Sequence, residues 1–455
     1  MKLPEAFTKR MEKLLCSDAG AFFDAHDKAA VKAFHLNTAR ISTQVFDDWL
    51  AGRSDIKAEK MPGGYGYTYS FENGSSIGSL ALHHAGALYS QDPSAMLPAG
   101  GLMIEKDMRI LDMCAAPGGK TSQLAMAVDG GSGYVIANEP NLSRNKILIS
   151  NIERMGYRNV ITTCLDPADL AAVYPDHFDL VLADAPCSGE GMFRKYPESV
   201  NEWSPENVAN CVSRQRDILK AAVTCLKPGG RLVYSTCTYA PEEDEGQVQY
   251  LINELGMATD EAPQTVKDQA LCTADGCYRC YPHLYDGEGQ FMAYLKKPGE
   301  SAEDRKNDKL PAGVAHTDKA ALRSIRESCG GIFDNYELLS YKDRFIILPA
   351  FPGRLPSRSV TSLGVTAVVF DEKKKRYVPH HQFFSAYGNE MDIRLDLSPE
   401  DPLLSQYIEG MEITSDITFS KGYGAVCVLG VPLGGVRSAG GRLKNLYPKG
   451  LRDHL

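Results

Sequence analysis

Long apolar runs are absent from this sequence, and their absence limits where the protein works. Nowhere do about 18 consecutive apolar residues occur, the length that a membrane-spanning helix requires. The first residues, MKLPEAFTKRMEKLL, mix charged and apolar side chains at helical spacing and lack the continuous apolar stretch of a secretory signal. We therefore expect a cytoplasmic protein with no membrane partner.

Basic residues are also outnumbered by acidic ones. The chain carries 49 Lys and Arg against 58 Asp and Glu, a net charge of −9, which argues against indiscriminate nucleic-acid binding by the whole surface. Residues 421–455 are the exception, because six cations there accompany a single acid, Asp453. Glycines and Tyr447 lie between these cations, a pattern that suits a module following an RNA backbone.

Closely spaced cysteines of the kind that form a disulfide scaffold are missing too. The 12 cysteines are spread over all 455 residues, so we expect mostly reduced thiols. Cys272, Cys277, Cys280 and His283 contain the C-x-x-C spacing of a zinc site, but the sequence has no second C-x-x-C. We therefore predict a turn with incidental cysteines there, and no metal site.

The chain is too long for one hydrophobic core, and two or three domains are expected. Residues 296–313, KKPGESAEDRKNDKLPAG, are charged, poor in apolar residues and bracketed by prolines, which is typical of a linker. After this segment, short β-like runs are separated by Gly and Pro. The carboxyl-terminal part is therefore predicted to hold one or two smaller, strand-rich modules.

Before the linker, short apolar runs alternate with helical patterns. The runs predict strands at residues 108–113, 134–139, 159–164, 178–184 and 231–236. The apolar spacing between them predicts helices over 143–156 and 207–230, which end at Gly156 and at Pro228–Gly229. This alternation indicates an α/β fold with a parallel sheet covered on both faces. Such sheets bind ligands outside the carboxyl ends of their strands.

A glycine-bearing loop follows the first of these strands, in RILDMCAAPGGKTSQLA. Gly119, Lys120 and Thr121 match the end of the phosphate-binding motif G-x-x-x-x-G-K-[ST], which would indicate an NTPase. Cys114 occupies the position of the first glycine of that motif, so we disfavour this function. The pyrophosphate fingerprint G-x-G-x-x-G is also missing, which disfavours NAD as the cofactor.

Acidic residues after the second and third strands favour a nucleoside cofactor. Glu139 ends YVIANE, at the place where a doubly wound sheet holds ribose hydroxyls. Asp166 follows the third strand and is a candidate acceptor for an adenine amino group. Such acids can also be plain solvated strand ends. Because the glycine loop, Glu139 and Asp166 follow successive strands in order, we predict S-adenosylmethionine as the cofactor.

Two cysteines lie just past strand ends, Cys187 in ADAPCSGEG and Cys237 in YSTCTYAPEEDE. Methyltransferases acting on exocyclic amines tend to have an aromatic residue at the position of Cys187, so that reaction is disfavoured. Methylation of carbon 5 of cytosine needs a thiol, because a thiolate added to carbon 6 makes carbon 5 reactive. Asp184 is placed to support this addition, and Lys120 and the helix after Cys237 are expected to favour the thiolate. Either cysteine remains a candidate nucleophile at this point.

Six segments resemble the RNA 5-methylcytosine methyltransferases of the NOL1/NOP2/Sun family. LDMCAAPGGKT, ADAPCSGEG and YSTCTYAPEEDE are similar to its cofactor loop and its fourth and sixth motifs. FHLNTARIS and LYSQDPSAML resemble its amino-terminal segments, and CYPHLYDGEGQFMAYL resembles its closing strand. In addition, PLGGVRSAGGRLKNLYPKGLR resembles the RNA-binding module of the bacterial ribosomal small-subunit methyltransferase F branch. The resemblance covers most of the chain.

The resemblance implies a Rossmann-like class I methyltransferase sheet with an N-terminal extension and a C-terminal, strand-rich PUA-like module. It implies that Cys237 is the nucleophile and that Cys187 releases the product, with Asp184 and Lys120 as further catalytic residues. The cofactor-binding residues it implies are Cys114, Ala115, Ala116, Pro117, Gly118, Gly119, Lys120, Glu139, Arg144, Asp166 and Asp184. The domains it implies are an RNA-binding extension (1–93), the methyltransferase domain (94–297), a linker and intermediate domain (298–389) and the PUA-like domain (390–455).

The function implied by the resemblance is methylation of carbon 5 of cytosine in 16S ribosomal RNA, through a covalent adduct with Cys237. The expected partner is RNA, naked or in the assembled small subunit, and not DNA, and the protein is expected to be a monomer. Two alternatives stay open: a methyltransferase acting on tRNA, and an RNA-binding ribosome assembly factor that has lost its chemistry. Intact Cys237, Cys187 and Asp184 argue against the second alternative.

Overall fold

The computed structural model describes residues 3–300, 310–348, 354–356, 359–414, 422–439 and 442–452. Half of the predicted linker, residues 301–309, together with Lys421 and Asp453 of the basic segment, therefore lies outside the described residues.

The amino-terminal region combines helices with a four-stranded antiparallel sheet. Its elements are α1 Glu5–Leu15, α2 Ala19–His26, β1 Ala33–Leu36, α3 Thr43–Ala51, β2 Ile56–Lys60, β3 Tyr67–Phe71, α4 Ala81–His84, β4 Leu88–Ser90 and α5 Pro93–Met96. The strand order is β2-β3-β1-β4. Successive side chains of a strand point to opposite faces, and Phe34, Phe46 and Tyr67 form an aromatic cluster on one face.

The central region is a large mixed sheet flanked by helices. Its elements are β5 Arg109–Asp112, α6 Gly119–Ala127, β6 Tyr134–Asn138, α7 Leu142–Met155, β7 Val160–Thr163, α8 Pro167–Val173, β8 Phe178–Asp184, α9 Ser199–Glu202, α10 Pro205–Cys225, β9 Leu226–Thr236, α11 Glu245–Asn253, β10 Ala258–Thr259, α12 Gln264–Gln269, β11 Leu271–Ala274, β12 Cys277–Cys280 and β13 Gln290–Lys296. Strands β9, β8, β5, β6 and β7 are parallel neighbours in that order. The chain leaves β5 for β6 on one side and returns to β8 on the other, so the switch point of this doubly wound sheet lies between β5 and β8.

Alternate residues of these strands pack on opposite faces of the sheet. Leu111, Ile136 and Val181 belong to one buried cluster with residues of α8, α10 and α11. Ile110 and Val135 belong to a second cluster with residues of α6 and α7. Burial on both faces explains the nearly continuous apolar strands, and the predicted α/β fold with a Rossmann-like sheet is confirmed.

Of the two helices predicted from the sequence, α7 ends where predicted and α10 does not. Helix α7 begins after Asn141, whose side chain accepts hydrogen bonds from two backbone N–H groups, and ends at Gly156 in the left-handed conformation, as predicted. Helix α10 ends at Cys225, so the predicted extension to Pro228–Gly229 is wrong. Proline disfavours the helical conformation of the residue before it, here Lys227, and the chain is already extended at Leu226. Strand β9 accordingly begins five residues earlier than predicted.

The residues after the linker form two further sheets. The first region comprises β14 Val314–His316, α13 Lys319–Cys329, β15 Leu339–Tyr341, β16 Arg344–Ile347, β17 Val360–Leu363, β18 Val365–Asp371, β19 Arg376–Pro379 and α14 His381–Tyr387, and the second comprises β20 Arg394–Leu397, α15 Pro402–Ile408, β21 Ile413–Thr414, β22 Gly422–Val428, β23 Val431–Ala439 and β24 Arg442–Asn445. The sheets have the orders β14-β15-β16-β18-β19 and β20-β22-β23-β24-β21. The strand-rich character predicted for this part is confirmed.

Strand β17 does not join either of these sheets. It pairs antiparallel with β7 and extends the central sheet, with Val360 opposite Thr163. The hydroxyls of Thr361 and Thr162 are also hydrogen-bonded at 2.8 Å. The segment after the linker is therefore built into the central sheet, which its sequence did not indicate.

The amino- and carboxyl-terminal regions share one hydrophobic core. Phe34 and Leu36 of β1 belong to the same buried cluster as Val426 of β22 and Val436 of β23. Half-buried Arg40 joins the regions further, because its guanidinium donates to the carbonyls of Arg154, Ser385 and Pro432. Among the described residues, no helix is long and apolar enough to cross a membrane.

Candidate active site

Two cysteines meet at the carboxyl edge of the central sheet. Strands β8 and β9 are parallel neighbours with Asp184 opposite Ser235, so the loops that follow them begin side by side. Cys187 lies in the first loop and Cys237 in the second, and their sulfur atoms are 3.3 Å apart. Both side chains are half-buried. The two thiols thus face one site, next to the switch point of the sheet.

Asp184 ends β8 beside the thiols and is held from two sides. Its Oδ2 accepts a hydrogen bond from Lys120 Nζ at 2.8 Å, and its Oδ1 accepts one from the Ser235 hydroxyl at 2.6 Å. The Asp184 side chain is 33% exposed, whereas the Lys120 side chain is 10% exposed. The ammonium of Lys120 is therefore committed to Asp184, and it links the glycine loop to the loop that carries Cys187.

The environment of Cys187 favours its protonated form. The hydrogen bond to Cys237 is the largest cause that raises the pKa of the Cys187 thiol well above its usual range, followed by burial and by the negative charges of Cys237 and Glu243. The thiolate is the nucleophilic form of cysteine, so these surroundings make Cys187 a poor nucleophile.

The helix expected after Cys237 begins farther along the chain than its position in the sequence suggested. Residues 241–244 form turns, and α11 starts only at Glu245. Asp244, immediately before the helix, is fully buried. It accepts hydrogen bonds from the Thr236 hydroxyl at 2.6 Å and from the Arg279 guanidinium at 2.7 Å. Asp244 therefore holds the end of strand β9 and is not a solvated residue at the start of a helix.

The glycine loop between β5 and α6 is shaped by close contacts. Gly118 has φ 114°, in the left-handed region that favours glycine, and a Cβ there would lie 3.1 Å from Leu148 Cδ1. At Gly119, a Cβ would lie 2.9 Å from the side chain of Gln91. The loop is anchored by the Ala115 N–H, which donates to the Asn138 carbonyl at 2.8 Å. Residues 114–120 thus form a tight turn at the tip of β5.

Glu139 stands at the tip of β6, directly beside this turn. Its carboxylate accepts a hydrogen bond from the Asn141 N–H at 2.9 Å and lies 3.3 Å from Arg144 Nη1. Arg144 also donates to the Ala116 carbonyl at 2.8 Å, so it ties Glu139 to the glycine loop. The Glu139 side chain is only 3% exposed. Three of the predicted cofactor residues are therefore adjacent in space.

Asp166 follows β7 and completes a row of acids along the edge. It precedes α8, but its side chain makes no capping hydrogen bond, and the residue is exposed. Because β5, β6 and β7 are neighbours, the glycine loop, Glu139 and Asp166 follow one another across the edge. A glycine turn whose backbone can approach a nucleoside, followed by two carboxylates that can accept hydrogen bonds from ribose and adenine, fits S-adenosylmethionine.

One buried acid of this edge was not singled out by the sequence. Asp112 ends β5 and is 1% exposed, and burial raises its pKa to about 7. The Thr121 hydroxyl donates to its Oδ2 at 2.6 Å, whereas its Oδ1 has no partner among the described residues. In the sequence it resembles an ordinary strand end, and only the helix packed above it makes it a buried group.

The contacts of Glu243 were also not predicted from the sequence. Its carboxylate is fully buried and accepts hydrogen bonds from Ser188 and Gln215, next to the thiol pair. In the sequence, Glu243 is one of four consecutive acids in PEEDE, which predicted only the start of a helix. The feature of the sequence that could have indicated these contacts is the hydroxyl residue after each cysteine, Ser188 after Cys187 and Thr238 after Cys237.

The cysteines with zinc-like spacing do not converge. Cys277 and Cys280 lie three residues apart on β12, where odd spacing points side chains to opposite faces. Cys277 accordingly packs in one face cluster and Cys280 in the other, while Cys272 is exposed on β11. No group of three or more potential metal ligands occurs in the part of the chain that the structure describes.

The described part of the basic segment includes strands β23 and β24 of the last sheet. Arg442 and Lys444 are exposed on β24, and Lys449 is exposed just after it. Arg437 on β23 lies over the ring of Tyr423, 5.5 Å from its centroid. Three of the predicted cations are therefore exposed on or just after β24, whereas Tyr447 is buried in the core and is not a free aromatic face.

Comparison with protein families accounts for three parts of the chain. Residues 100–296 match the family described as 16S rRNA methyltransferase RsmB/F. Residues 3–93 match the N-terminal domain of 16S rRNA methyltransferase RsmF, and residues 394–453 match the methyltransferase RsmF PUA domain.

Curated relatives match over nearly the full length. Ribosomal RNA small subunit methyltransferase F of Cronobacter sakazakii is 31% identical over 466 residues, which cover 99% of this chain and 96% of that protein. The protein of the same name from Vibrio atlanticus is 32% identical over 473 residues, covering 99% and 97%.

Solved structures share the fold. A methyltransferase homolog protein from Pyrococcus horikoshii superposes with a TM-score of 0.55 at 27% identity, covering 65% of this chain and 95% of that one. NSun6 from Pyrococcus horikoshii, solved with the S-adenosylmethionine analogue SFG, gives a TM-score of 0.58 at 21% identity, covering 65% and 99%.

Proposed function

The chain belongs to the RsmB/F family of 16S rRNA methyltransferases, in its RsmF branch, and we propose on that premise that it methylates carbon 5 of cytosine in 16S ribosomal RNA. The observation that carries this proposal is the pair of thiols, Cys187 and Cys237, 3.3 Å apart beside Asp184. Cytosine carbon 5 needs a thiol to activate it and a base to remove its proton afterwards, and two adjacent thiols suit these two tasks.

S-adenosylmethionine is the cofactor, and when bound it supplies an electrophilic methyl group. The residues that would hold it are the loop from Cys114 to Lys120, with Glu139 at the ribose and Asp166 at the adenine. Arg144 orients Glu139 and the loop through the contacts described above. Close packing against Leu148 and Gln91 requires glycine at positions 118 and 119 and so fixes the course of the loop backbone.

Cys237 acts as the nucleophile in this proposal. Its thiolate adds to carbon 6 of cytosine, forming a carbon–sulfur bond and giving carbon 5 the electron density to accept the methyl group. Asp184, 33% exposed at the end of β8, is placed beside the thiols to support the addition at ring nitrogen 3 of the cytosine. Lys120 holds the carboxylate of Asp184 in place.

Cys187 completes the reaction. Once carbon 5 is methylated, Cys187 as a thiolate takes the proton from that carbon. The electron pair restores the double bond between carbons 5 and 6, and the bond between carbon 6 and sulfur breaks to release the Cys237 thiolate. The hydrogen bond to Cys237 is the largest cause of the raised pKa of Cys187, so converting Cys237 to a thioether makes Cys187 easier to deprotonate when it is needed.

We assign RNA binding to both ends of the chain. Residues 1–93 and 390–455 flank the methyltransferase domain at 94–297, residues 298–389 connect them, and the exposed cations of β24 follow the phosphate backbone. The protein works as a monomer in the cytoplasm, without a membrane or DNA partner. Its substrate is ribosomal RNA, either naked or within the assembled small subunit.

Bisulfite sequencing of 16S ribosomal RNA tests the proposed function. A strain that lacks the gene should lose protection at one or more cytosines, and the wild-type gene should restore it, whereas a gene encoding Cys237→Ala should not. If 16S ribosomal RNA is unchanged and protection is lost in tRNA, the tRNA alternative is correct. If no cytosine changes in any RNA, the protein is an assembly factor without methyltransferase chemistry.

A further inference from the structure

Two adjacent thiols could exchange roles, and something in the site must distinguish them. The loops that carry Cys187 and Cys237 are both half-buried, and both cysteines are followed by a residue with a hydroxyl group. One difference between their surroundings is the position of a buried carboxylate, that of Glu243.

Glu243 is bound to the loop of Cys187 on both sides of that cysteine. Its Oε2 accepts a hydrogen bond from the Ser188 N–H at 3.0 Å, and its Oε1 accepts one from the Ser188 hydroxyl. On the other side, Gln215 Nε2 donates to Glu243 Oε2 at 2.8 Å and to the carbonyl of Pro186 at 3.1 Å. The carboxylate and the Gln215 amide thus hold the residues immediately before and after Cys187.

The connection to the loop of Cys237 is weaker. The Thr238 hydroxyl lies 3.4 Å from Glu243 Oε1 and 2.8 Å from the Ser188 hydroxyl. A hydroxyl donates one proton, so Ser188 donates to Glu243 and accepts from Thr238. The two loops are therefore joined through Ser188, with the carboxylate on the Cys187 side.

Among the residues that the structure describes, Glu243 also differs from the other acids near the thiols because it has no ion-pair partner. Asp184 is paired with Lys120, Glu190 with Arg10, and Asp244 with Arg279. Among the described residues, the groups that donate to Glu243, those of Ser188 and Gln215, are neutral. Because these groups are donors, they match an ionised carboxylate, which only accepts hydrogen bonds. A further titratable group facing the pair is Cys211 of α10.

We propose that Glu243 is a positioning residue that holds Cys187 against Cys237 and, through its unpaired negative charge, leaves Cys237 as the member of the pair that ionises. The inference deepens the proposed function and rests on it for the meaning of the two roles. A negative charge on the Cys187 side disfavours a second one there. Consistent with this, Glu243 is among the causes that raise the pKa of Cys187.

The thiols can be compared without RNA, which separates this inference from the proposed function. The full-length protein is treated with limiting iodoacetamide at neutral pH, and peptide mass spectrometry gives the alkylation rates of Cys187 and Cys237. The thiolate is the reactive form, and a difference of one unit in pKa changes its population about tenfold. In the wild-type protein, Cys237 should react at least about tenfold faster than Cys187.

The variant Glu243→Gln keeps the size of the side chain and removes its charge. It should reduce the preference for Cys237 to within about threefold, whereas Glu243→Asp, which keeps the charge, should retain most of it. Glu242→Gln is the matched control, because Glu242 is the exposed neighbour in sequence, and its preference should equal that of the wild type. S-adenosylmethionine binding by each variant, measured by calorimetry, reports that it is folded.

Three outcomes would overturn the inference. The first is a wild-type protein in which Cys187 reacts as fast as Cys237 or faster, a result that needs no variant. The second is a folded Glu243→Gln protein with the wild-type preference. The third is an equal loss of preference in Glu243→Gln and Glu243→Asp, which would reduce Glu243 to a packing role. If the alkylation results hold and no RNA is methylated, only the proposed function fails.

Discussion

The carboxyl edge of the central sheet has two halves that handle charge in different ways. In the cofactor half, after β5, β6 and β7, Asp166 is exposed and Glu139 lies beside a tight glycine turn, to which Arg144 ties it. In the thiol half, after β8 and β9, Glu243 and Asp244 are fully buried and tied to the residues around the cysteines. The first half presents groups to a ligand, whereas the second uses buried charge to control two side chains.

If the two halves are separate, loss of the nucleophile should abolish catalysis and leave cofactor binding intact. Cys237→Ala should lower methyl transfer to 16S ribosomal RNA by at least about a thousandfold, since removal of a covalent nucleophile eliminates the reaction path. Its affinity for S-adenosylmethionine should stay within about twofold of wild type. Cys164→Ala is the control, because this thiol near Glu139 donates only to the carbonyl of Pro140. Retained methyl transfer by Cys237→Ala would contradict the assignment.

The buried acid of the cofactor half should control stability rather than chemistry. Burial raises the pKa of Asp112 from 3.8 to about 7, so the folded protein binds a proton between these values that the unfolded chain does not. Stability from this group is therefore lost as pH rises from about 4 to about 7, by up to about 4 kcal/mol.

The variant Asp112→Asn removes this titration. Its melting temperature relative to wild type should increase between pH 5 and pH 8, in thermal unfolding followed by circular dichroism without cofactor. A constant difference between the two proteins over this pH range would mean that Asp112 stays charged in the folded state.

The ribose contact should affect only the cofactor half. Losing hydrogen bonds to a charged group costs about 1.5–3 kcal/mol each, so Glu139→Ala should weaken S-adenosylmethionine binding by at least about tenfold. Asp166→Ala should have a smaller effect, because Asp166 is exposed. The alkylation preference between Cys187 and Cys237 should not change. Calorimetry that shows wild-type affinity for Glu139→Ala would contradict the ribose contact, and tight binding of ATP would favour the NTPase alternative.

The basic segment lies outside both halves and should affect RNA affinity alone. Arg442→Ala combined with Lys444→Ala should weaken RNA binding a few-fold and lower the slope of log affinity against log salt by about 0.7 per lost phosphate contact. Lys374→Ala combined with Lys375→Ala is the matched control, since these lysines are paired with Asp371 and Glu372. An equal salt slope for the two double variants would remove the RNA-binding role of β24.

Point substitutions are preferable to truncation in that experiment. Removal of the residues after about 390 would expose Phe34 and Leu36, which share a buried cluster with Val426 and Val436. The loss of a common core would disturb the amino-terminal region as well. Any change in RNA binding could then not be assigned to charge.

Much of the cofactor half could be predicted from sequence because its groups are recognisable one at a time. A glycine turn, then Glu139, then Asp166, each after an apolar run, have positions that the sheet fixes in advance. The end of helix α7 at Gly156 is equally local, since glycine favours the left-handed conformation there. Asp112 was missed because its burial depends on α6 packing above it.

The thiol half could be predicted only in part. Proximity of Cys187 and Cys237 follows from parallel neighbours β8 and β9, but the strand order itself is a long-range property. The role of Glu243 depends on Gln215 from α10 and on Ser188, contacts between segments far apart in sequence. The addition of β17 to the central sheet is of the same kind, because no local signal predicts its partner.

The central claim is the division of labour between the two thiols, and one gel tests it. The wild-type protein, Cys187→Ala, Cys237→Ala and the double variant are incubated with 16S ribosomal RNA and S-adenosylmethionine and run under denaturing conditions. The account predicts that Cys187→Ala accumulates a denaturant-resistant protein–RNA adduct, because the methylated base keeps its carbon 5 proton, and that Cys237→Ala and the double variant form none. An adduct that persists in Cys237→Ala and disappears in Cys187→Ala would contradict it.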